Sequence, residues 1–147
     1  KQAWHFISVT HPETVAQVFP LVRWAAYLAP EGTPKEGERP TAYIVVLVDE
    51  KESLTPEADA CAATMNMILC ATDLNIGTCW MGSVNKPELS RIVHVPRGHT
   101  IKYVIALGYP AESPVVEEAQ ESIKYYKDEK GTLHVPKKRL REIVSTE

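Results

Sequence analysis

The segment 74–82, Leu-Asn-Ile-Gly-Thr-Cys-Trp-Met-Gly, is the stretch of this chain best suited to holding a flat ligand. Gly77 and Gly82 bracket a short run of residues that favour an extended backbone. Glycine leaves its backbone uncovered, so a ligand can approach the N–H groups closely, while Ile76 and Trp80 supply apolar surface. The same pattern fits the end of a helix followed by a buried strand, and by itself the segment leaves both interpretations open.

A second candidate site is the only compact group of positive charges, Lys137, Lys138, Arg139 and Arg141. A guanidinium can bind a phosphate bidentately and an ammonium acts as a point charge, so this group suits a single phosphate. The alternative is a solvated terminal face. The formal net charge of -3 argues against a nucleic-acid or polyanion binder, because such proteins usually carry a concentrated basic surface.

The remaining reactive side chains show no spacing typical of a metal site. The three cysteines include no C-x-x-C pair and the five histidines are dispersed. We expect the cysteines to be reduced packing residues, which suits a cytoplasmic protein. The sequence has no apolar run of about eighteen residues, so we expect no membrane-spanning helix.

The elements that must position these residues alternate between strands and helices. The 147 residues fit one domain. We predict strands at 4–10, 41–48 and 101–107, helices at 12–19, 21–28, 85–93 and 138–144, and extended runs at 122–126 and 132–135 around a Lys130-Gly131 hairpin. The pattern indicates an α+β fold with a mostly antiparallel central sheet flanked by helices.

A long helix is predicted over residues 55–74, with Thr55 as N-cap and Pro56 at its first position. Its residues are small and apolar nearly all round. A helix without a broad polar face must be buried on several sides. We therefore expect it to pack against both the sheet and a second subunit; the alternative is a core helix of a monomer.

The order of these segments resembles that of the nitroreductase family of FMN enzymes. The resemblance covers essentially the whole chain. It is carried by Gln2-Ala3-Trp4-His5-Phe6, similar to the family's Gln-Pro-Trp-x-Phe, and by the segments 41–47, 58–74, 76–82, 106–112 and 135–140. Family members usually begin with a few dozen further residues, which include an Arg-Arg-Ser-x-Arg-like phosphate-binding segment. We therefore expect the sequence to lack the N-terminal portion of a longer protein. The alternative is a protein that has lost this half of its phosphate-binding site.

The resemblance implies a single FMN-binding domain over residues 1–147, assembled into an intertwined homodimer with two FMN sites between the subunits. In such enzymes the flavin carries out the redox step, so no catalytic side chain is required. By the same resemblance, the backbone of Ile76, Gly77 and Thr78 lies against the flavin ring. The Ile76-Gly77 peptides stand where the family supplies a backbone N–H that hydrogen-bonds the ring.

Further site residues follow from the same resemblance. Gln2 is a candidate for the polar edge of the flavin, with a capping side chain as the alternative. Lys137 and Arg139 match the positions that hold the phosphate. Trp24 and Tyr27 are candidates for lining the open face where the substrate binds, and simple helix packing is their alternative.

The implied activity is electron transfer from NADH or NADPH, through FMN, to a nitroaromatic, quinone or similar electron-poor acceptor. The sequence contains no dinucleotide-binding G-x-G-x-x-G, which fits a reductant that visits the flavin site and leaves. Two alternatives stay open. One is another flavin reaction, such as reductive dehalogenation, and the other is a non-catalytic flavin-binding or structural dimer.

Overall fold

The structure, a computed structural model, describes residues 1–146 and divides into two compact units. The first unit comprises Lys1–Trp24 and Pro34–Pro110, and the second comprises Ala25–Thr33 and the described part of Ala111–Glu147. Within residues 1–146, no helix combines the length and the apolar character needed to cross a bilayer.

A four-stranded sheet forms the centre of the first unit. Its strands are β1 (Trp4–Val9), β2 (Ala42–Asp49), β3 (Gly77–Met81) and β4 (His99–Gly108), in the spatial order β1-β2-β4-β3. All three strand pairs are antiparallel. The predicted antiparallel central sheet is therefore confirmed, and β3 lies at one edge of it.

Helices cover both faces of this sheet, as predicted. They are α1 (Pro12–Val18), α2 (Pro56–Asp73) and α3 (Lys86–Ile92). Side chains alternate between the two faces along β2. Tyr43, Val45 and Leu47 join a first core cluster with Val18 of α1 and Leu89 of α3. Val46 and Val48 join a second core cluster with Ala60 of α2 and Ile105 of β4.

Helix α2 buries only one face within the chain. Ala60, Thr64 and Ala71 are buried, whereas Met65 and Leu69 on other faces are 45% and 61% exposed. The expectation of a helix buried on several sides is therefore not met inside one chain, because the sheet covers a single stripe of the helix. An apolar surface remains open to solvent.

The helix N-termini differ in how they are capped. Thr55 occupies the N-cap position of α2 as predicted, but its side chain makes no capping hydrogen bond. Asn85 does cap α3, since its side-chain oxygen accepts the Glu88 N–H at 3.3 Å. Its cap satisfies one of the free N–H groups that every helix N-terminus exposes.

The helix predicted over residues 21–28 is wrong. The chain forms two single 3₁₀ turns, Phe19–Leu21 and Ala26–Leu28. Val22 between them is extended and forms an isolated antiparallel bridge with Val84. Ala25 has φ of 30°, in the left-handed region, so a continuous helix cannot pass through it.

The second unit contains a small mixed sheet. Its strands are β5 (Val115–Glu118), β6 (Tyr126–Lys127) and β7 (Leu133–Lys137), in the order β5-β7-β6. The antiparallel pair β6 and β7 confirms the predicted hairpin. Strand β5 was not predicted. It pairs in parallel with β7, which lies further along the chain beyond a long loop, and local sequence patterns do not indicate such a pairing. Helix α4 (Leu140–Ile143) is shorter than predicted.

The expectation that all three cysteines pack inside the protein is wrong. Cys61 is half-buried, but Cys70 and Cys79 are exposed in the single chain. Cys70 lies on α2, whose buried stripe is too narrow to include it. All three thiols are free.

Candidate functional site

The open edge of β3 exposes a backbone donor at Thr78. Residues of an antiparallel strand direct their N–H and C=O groups alternately to the two sides. The Leu107 carbonyl accepts the Thr41 N–H at 2.9 Å, so the Leu107 backbone faces β2. Thr78 lies opposite Leu107 on the other side of β4. The Thr78 N–H is therefore directed away from β4, toward the free edge of the sheet.

The two residues before Thr78 use their backbones differently. The Ile76 N–H donates to the Ala71 carbonyl at 2.8 Å, which closes the end of α2. Gly77 lies opposite Gly108, and a Cβ added at Gly77 would be 3.3 Å from the Gly108 carbonyl oxygen. The glycine thus allows a close approach within the sheet itself. Of the three residues, Thr78 has the N–H that faces the open edge.

Aromatic side chains support β3 from the second core cluster. Trp80 packs edge-on against Tyr103, with ring centroids 5.2 Å apart. Trp4, Phe6 and Trp80 are partly buried against this cluster, as expected for core residues. The segment that carries the Thr78 N–H is therefore backed by packed rings.

Several charged side chains lie beside Tyr103. The Tyr103 hydroxyl donates to Glu57 of α2, and the Lys102 Nζ lies 2.9 Å from a carboxylate oxygen of Glu50. The hydrogen bond to Glu57 raises the pKa of Tyr103, and the hydrogen bond from Lys102 lowers the pKa of Glu50. The Tyr103 contact links α2 to β4, and the Lys102 contact links β4 to the turn that follows β2. Tyr103 stays protonated at neutral pH.

The two other predicted site residues of the first unit, Gln2 and Trp24, differ in how exposed they are. Gln2 is exposed, and the residue after it, Ala3, is buried directly before β1. Trp24 is partly buried against the first core cluster, with its ring centroid 5.4 Å from that of Phe19. The Trp24 indole nitrogen is buried and has no hydrogen-bond partner within residues 1–146.

Tyr27 belongs to the second unit and presents an exposed ring. Its side chain is 56% exposed. Its ring lies against that of Tyr125, with centroids 4.9 Å apart, and the Lys124 Nζ lies 5.7 Å from the Tyr27 ring centroid. This pair of rings with a neighbouring cation is an apolar platform at the protein surface.

Lys137 and Arg139 both lie where β7 ends. Lys137 is the exposed last residue of that strand, and Arg139 is the N-cap residue of α4. The Arg139 Nε lies 3.1 Å from a carboxylate oxygen of Glu118 but outside hydrogen-bond geometry. An open cleft of about 420 Å³ is lined by Glu118, Arg139, Leu140 and Arg141. Glu118 was not predicted as a site residue, because the parallel pairing that brings β5 beside β7 gives no local sequence signal.

The chain is similar to known proteins in both sequence and structure. A sequence model of the nitroreductase family matches residues 1–109. A protein of Archaeoglobus fulgidus, named provisionally as an NADH dehydrogenase/NAD(P)H nitroreductase, is 30% identical in an alignment 129 residues long, which covers 82% of this chain and 69% of that protein. A protein of the same provisional name from Methanothermobacter thermautotrophicus is 28% identical over 78% of this chain, and the match spans only 59% of its own length.

Solved structures share the fold at lower identity. A nitroreductase family protein from Clostridium difficile 630 superposes with a TM-score of 0.67 at 17% identity, over 99% of this chain and 74% of that chain. An FMN-dependent nitroreductase from Clostridium difficile R20291 gives a TM-score of 0.59 at 20% identity, over 76% of this chain and 66% of that one. The residues 1–109 matched by the family sequence model include β3, whose edge carries the Thr78 N–H. The chain belongs to the nitroreductase family.

Proposed function

We propose that this protein is an FMN-dependent oxidoreductase that takes electrons from NADH or NADPH and passes them to a nitroaromatic, a quinone or a similar electron-poor acceptor. The observation that carries the proposal is the Thr78 N–H at the open edge of β3, inside the region matched by the family. When bound, FMN would supply the hydride chemistry that no side chain of the protein provides.

The residues at the edge of β3 fit a flavin ring. The Thr78 N–H is a donor that the sheet does not use, and an edge-directed N–H can bind an acceptor atom of a ring. Ile76 adds a half-buried apolar side chain, and Gly77 adds no side chain that would keep a ring away. We propose the exposed Gln2 amide as a further hydrogen-bond partner of the ring.

The residues at the end of β7 fit a phosphate. Lys137 and Arg139 bring an ammonium and a guanidinium close together in sequence. A phosphate would compete with Glu118 for the Arg139 side chain. It could displace the Glu118 carboxylate, because that contact lacks hydrogen-bond geometry. We propose that both cations hold the FMN phosphate, and that Trp24 and Tyr27 contact the substrate.

The first test is the absorption spectrum of the purified protein before and after anaerobic addition of NADH or NADPH. We expect flavin bands near one FMN per chain that bleach with at least one nucleotide, which also identifies the donor. A protein that stays colourless after incubation with FMN would contradict the cofactor assignment. Yellow protein that neither nucleotide bleaches would contradict the proposed electron donor.

The phosphate assignment is tested by comparing FMN with riboflavin, which lacks the phosphate. Lys137→Ala and Arg139→Ala should each weaken FMN binding about tenfold or more, the effect of losing a hydrogen bond to a charged group. Riboflavin binding should stay within about twofold, because neither cation has a phosphate to contact. Lys138→Ala is the matched control. Equal losses for both flavins would refute the assignment.

We also propose that the protein is a cytoplasmic homodimer that uses α2 as part of its interface. The exposed apolar side chains of α2 support the dimer, because such surface favours association. The three free cysteines support a reducing compartment.

A further inference from the structure

His134 lies in the small sheet of the second unit with a carboxylate facing each ring nitrogen. Its Nδ1 is 3.0 Å from Glu117 Oε2, within hydrogen-bond geometry, and its Nε2 is 3.5 Å from Asp128 Oδ2, an ion-pair distance outside hydrogen-bond geometry. The ring also stacks on Tyr126, with centroids 4.9 Å apart and an interplanar angle of 10°. Glu117 comes from β5, Tyr126 from β6 and His134 from β7. One imidazole on β7 thus contacts side chains from both of the other strands.

This arrangement fits a charged ring better than a neutral one. A neutral imidazole has one N–H and one lone pair, so it would direct its lone pair at one of the two carboxylates. An imidazolium offers an N–H to each carboxylate and balances part of their negative charge. Consistent with this geometry, the hydrogen bond to Glu117 and the neighbouring Asp128 raise the pKa of His134.

Both carboxylates are oriented by bonds of their own. Asp128 Oδ1 accepts the backbone N–H groups of Lys130 at 3.0 Å and Thr132 at 2.8 Å, which shapes the turn between β6 and β7. Glu117 Oε1 accepts the Tyr126 hydroxyl at 3.1 Å. The acceptors around His134 are therefore preorganised, and the ring need only supply the proton.

Two other charged residues on these strands have ion-pair partners of their own. On β5, Glu118 faces Arg139. On β6, the Lys127 Nζ lies 2.5 Å from Glu112. The ionisable groups that face the His134 ring from the neighbouring strands and turn are thus Glu117, Tyr126 and Asp128.

We propose that the imidazolium of His134 is a pH-sensitive clamp that holds β5, β6 and β7 together. Its contribution to stability is fully present below the ordinary histidine pKa of about 6.5. It is lost as the pH rises through the higher pKa of the folded state, because the folded state binds the proton more tightly than the opened one. The inference is independent of the cofactor proposal.

The clamp is tested first by NMR titration of the His134 ring in the full chain. We expect a midpoint above about 6.5. Glu117→Gln should lower this midpoint, because the amide keeps an acceptor for Tyr126 but loses the charge. Glu118→Gln, on the same strand but facing Arg139, is the matched control and should leave it unchanged. A wild-type midpoint at or below about 6.5 refutes the clamp whether or not the variants fold.

The second measurement is amide hydrogen exchange in the same sheet, corrected for the intrinsic effect of pH. The Ala119 N–H, bonded to the Lys137 carbonyl at 2.8 Å, reports the contact between β5 and β7. Its protection factor should fall as the pH rises from about 6 to about 9. The largest expected fall is about tenfold for each pH unit by which the His134 midpoint in the folded state exceeds its midpoint in the opened state. In His134→Gln the fall should disappear. An equal fall in that variant refutes the clamp.

Discussion

At Tyr43, a phenol hydroxyl lies inside the first core cluster without a hydrogen-bond partner in residues 1–146. The side chain is fully buried, and burial raises the pKa of Tyr43 to about 12. A buried polar group without a partner costs free energy. Tyr103 is the opposite case, because its hydroxyl donates to Glu57.

Tyr43→Phe should therefore leave the free energy of unfolding unchanged or raise it by up to about 1 kcal/mol, since it removes an unpaired hydroxyl and keeps the ring. Tyr103→Phe is the matched control and should lower stability by about 1 kcal/mol. Urea denaturation of the three proteins measures both effects. A loss for Tyr43→Phe as large as that for Tyr103→Phe would show that the Tyr43 hydroxyl has a bonding partner after all.

At the scale of the element, helix α3 depends on its N-terminal cap. Asn85→Ala removes the acceptor of the Glu88 N–H and should lower the free energy of unfolding by about 1 kcal/mol. Asn66→Ala in α2 is the control. Its amide donates to the carbonyl one turn back, and alanine is the stronger helix former, so stability should be unchanged or higher. Thermal unfolding that ranks the two variants in the reverse order would contradict this account of the cap.

Strand β3 allows its proposed ligand contact to be removed without breaking the sheet. Thr78→Pro deletes an N–H that faces the open edge, a position where an edge strand tolerates proline. FMN affinity should fall about tenfold, the effect of one lost hydrogen bond. Thr78→Ala keeps the N–H and should bind FMN like the original chain. Circular dichroism verifies that both variants fold, and unaltered FMN binding by Thr78→Pro would remove Thr78 from the proposed site.

At the scale of the whole molecule, the exposed apolar side chains of α2 are the feature that a single chain does not explain. Leu69→Lys places a charge on this surface and should weaken the proposed dimer about thirtyfold or more, as expected for a central interface residue. Leu54 precedes α2 and is 103% exposed, so Leu54→Lys is the same exchange outside the helix. Sedimentation equilibrium should show monomers for Leu69→Lys and dimers for Leu54→Lys. An unaltered assembly of Leu69→Lys would exclude α2 from the interface.

The sequence by itself determined the elements whose signals are local. The β-branched runs of β2 and β4, the short helix α3 and the hairpin at Gly131 depend on a few neighbouring residues, and these predictions were confirmed. The α+β class and the family resemblance follow from the order of such elements. The sequence also located the β3 segment and the cations Lys137 and Arg139, whose part in a cofactor site stays a prediction.

Only the tertiary structure decided how these elements pair. Register sets which backbone groups face an open edge, and this made Thr78 the residue with the available N–H. The parallel pairing of β5 with β7 brought Glu118 to Arg139 and Glu117 to His134. These contacts join residues far apart in the chain, so no local propensity encodes them. The sheet also covered one narrow stripe of α2 and left the rest exposed, because burial depends on what packs against a helix as well as on its composition.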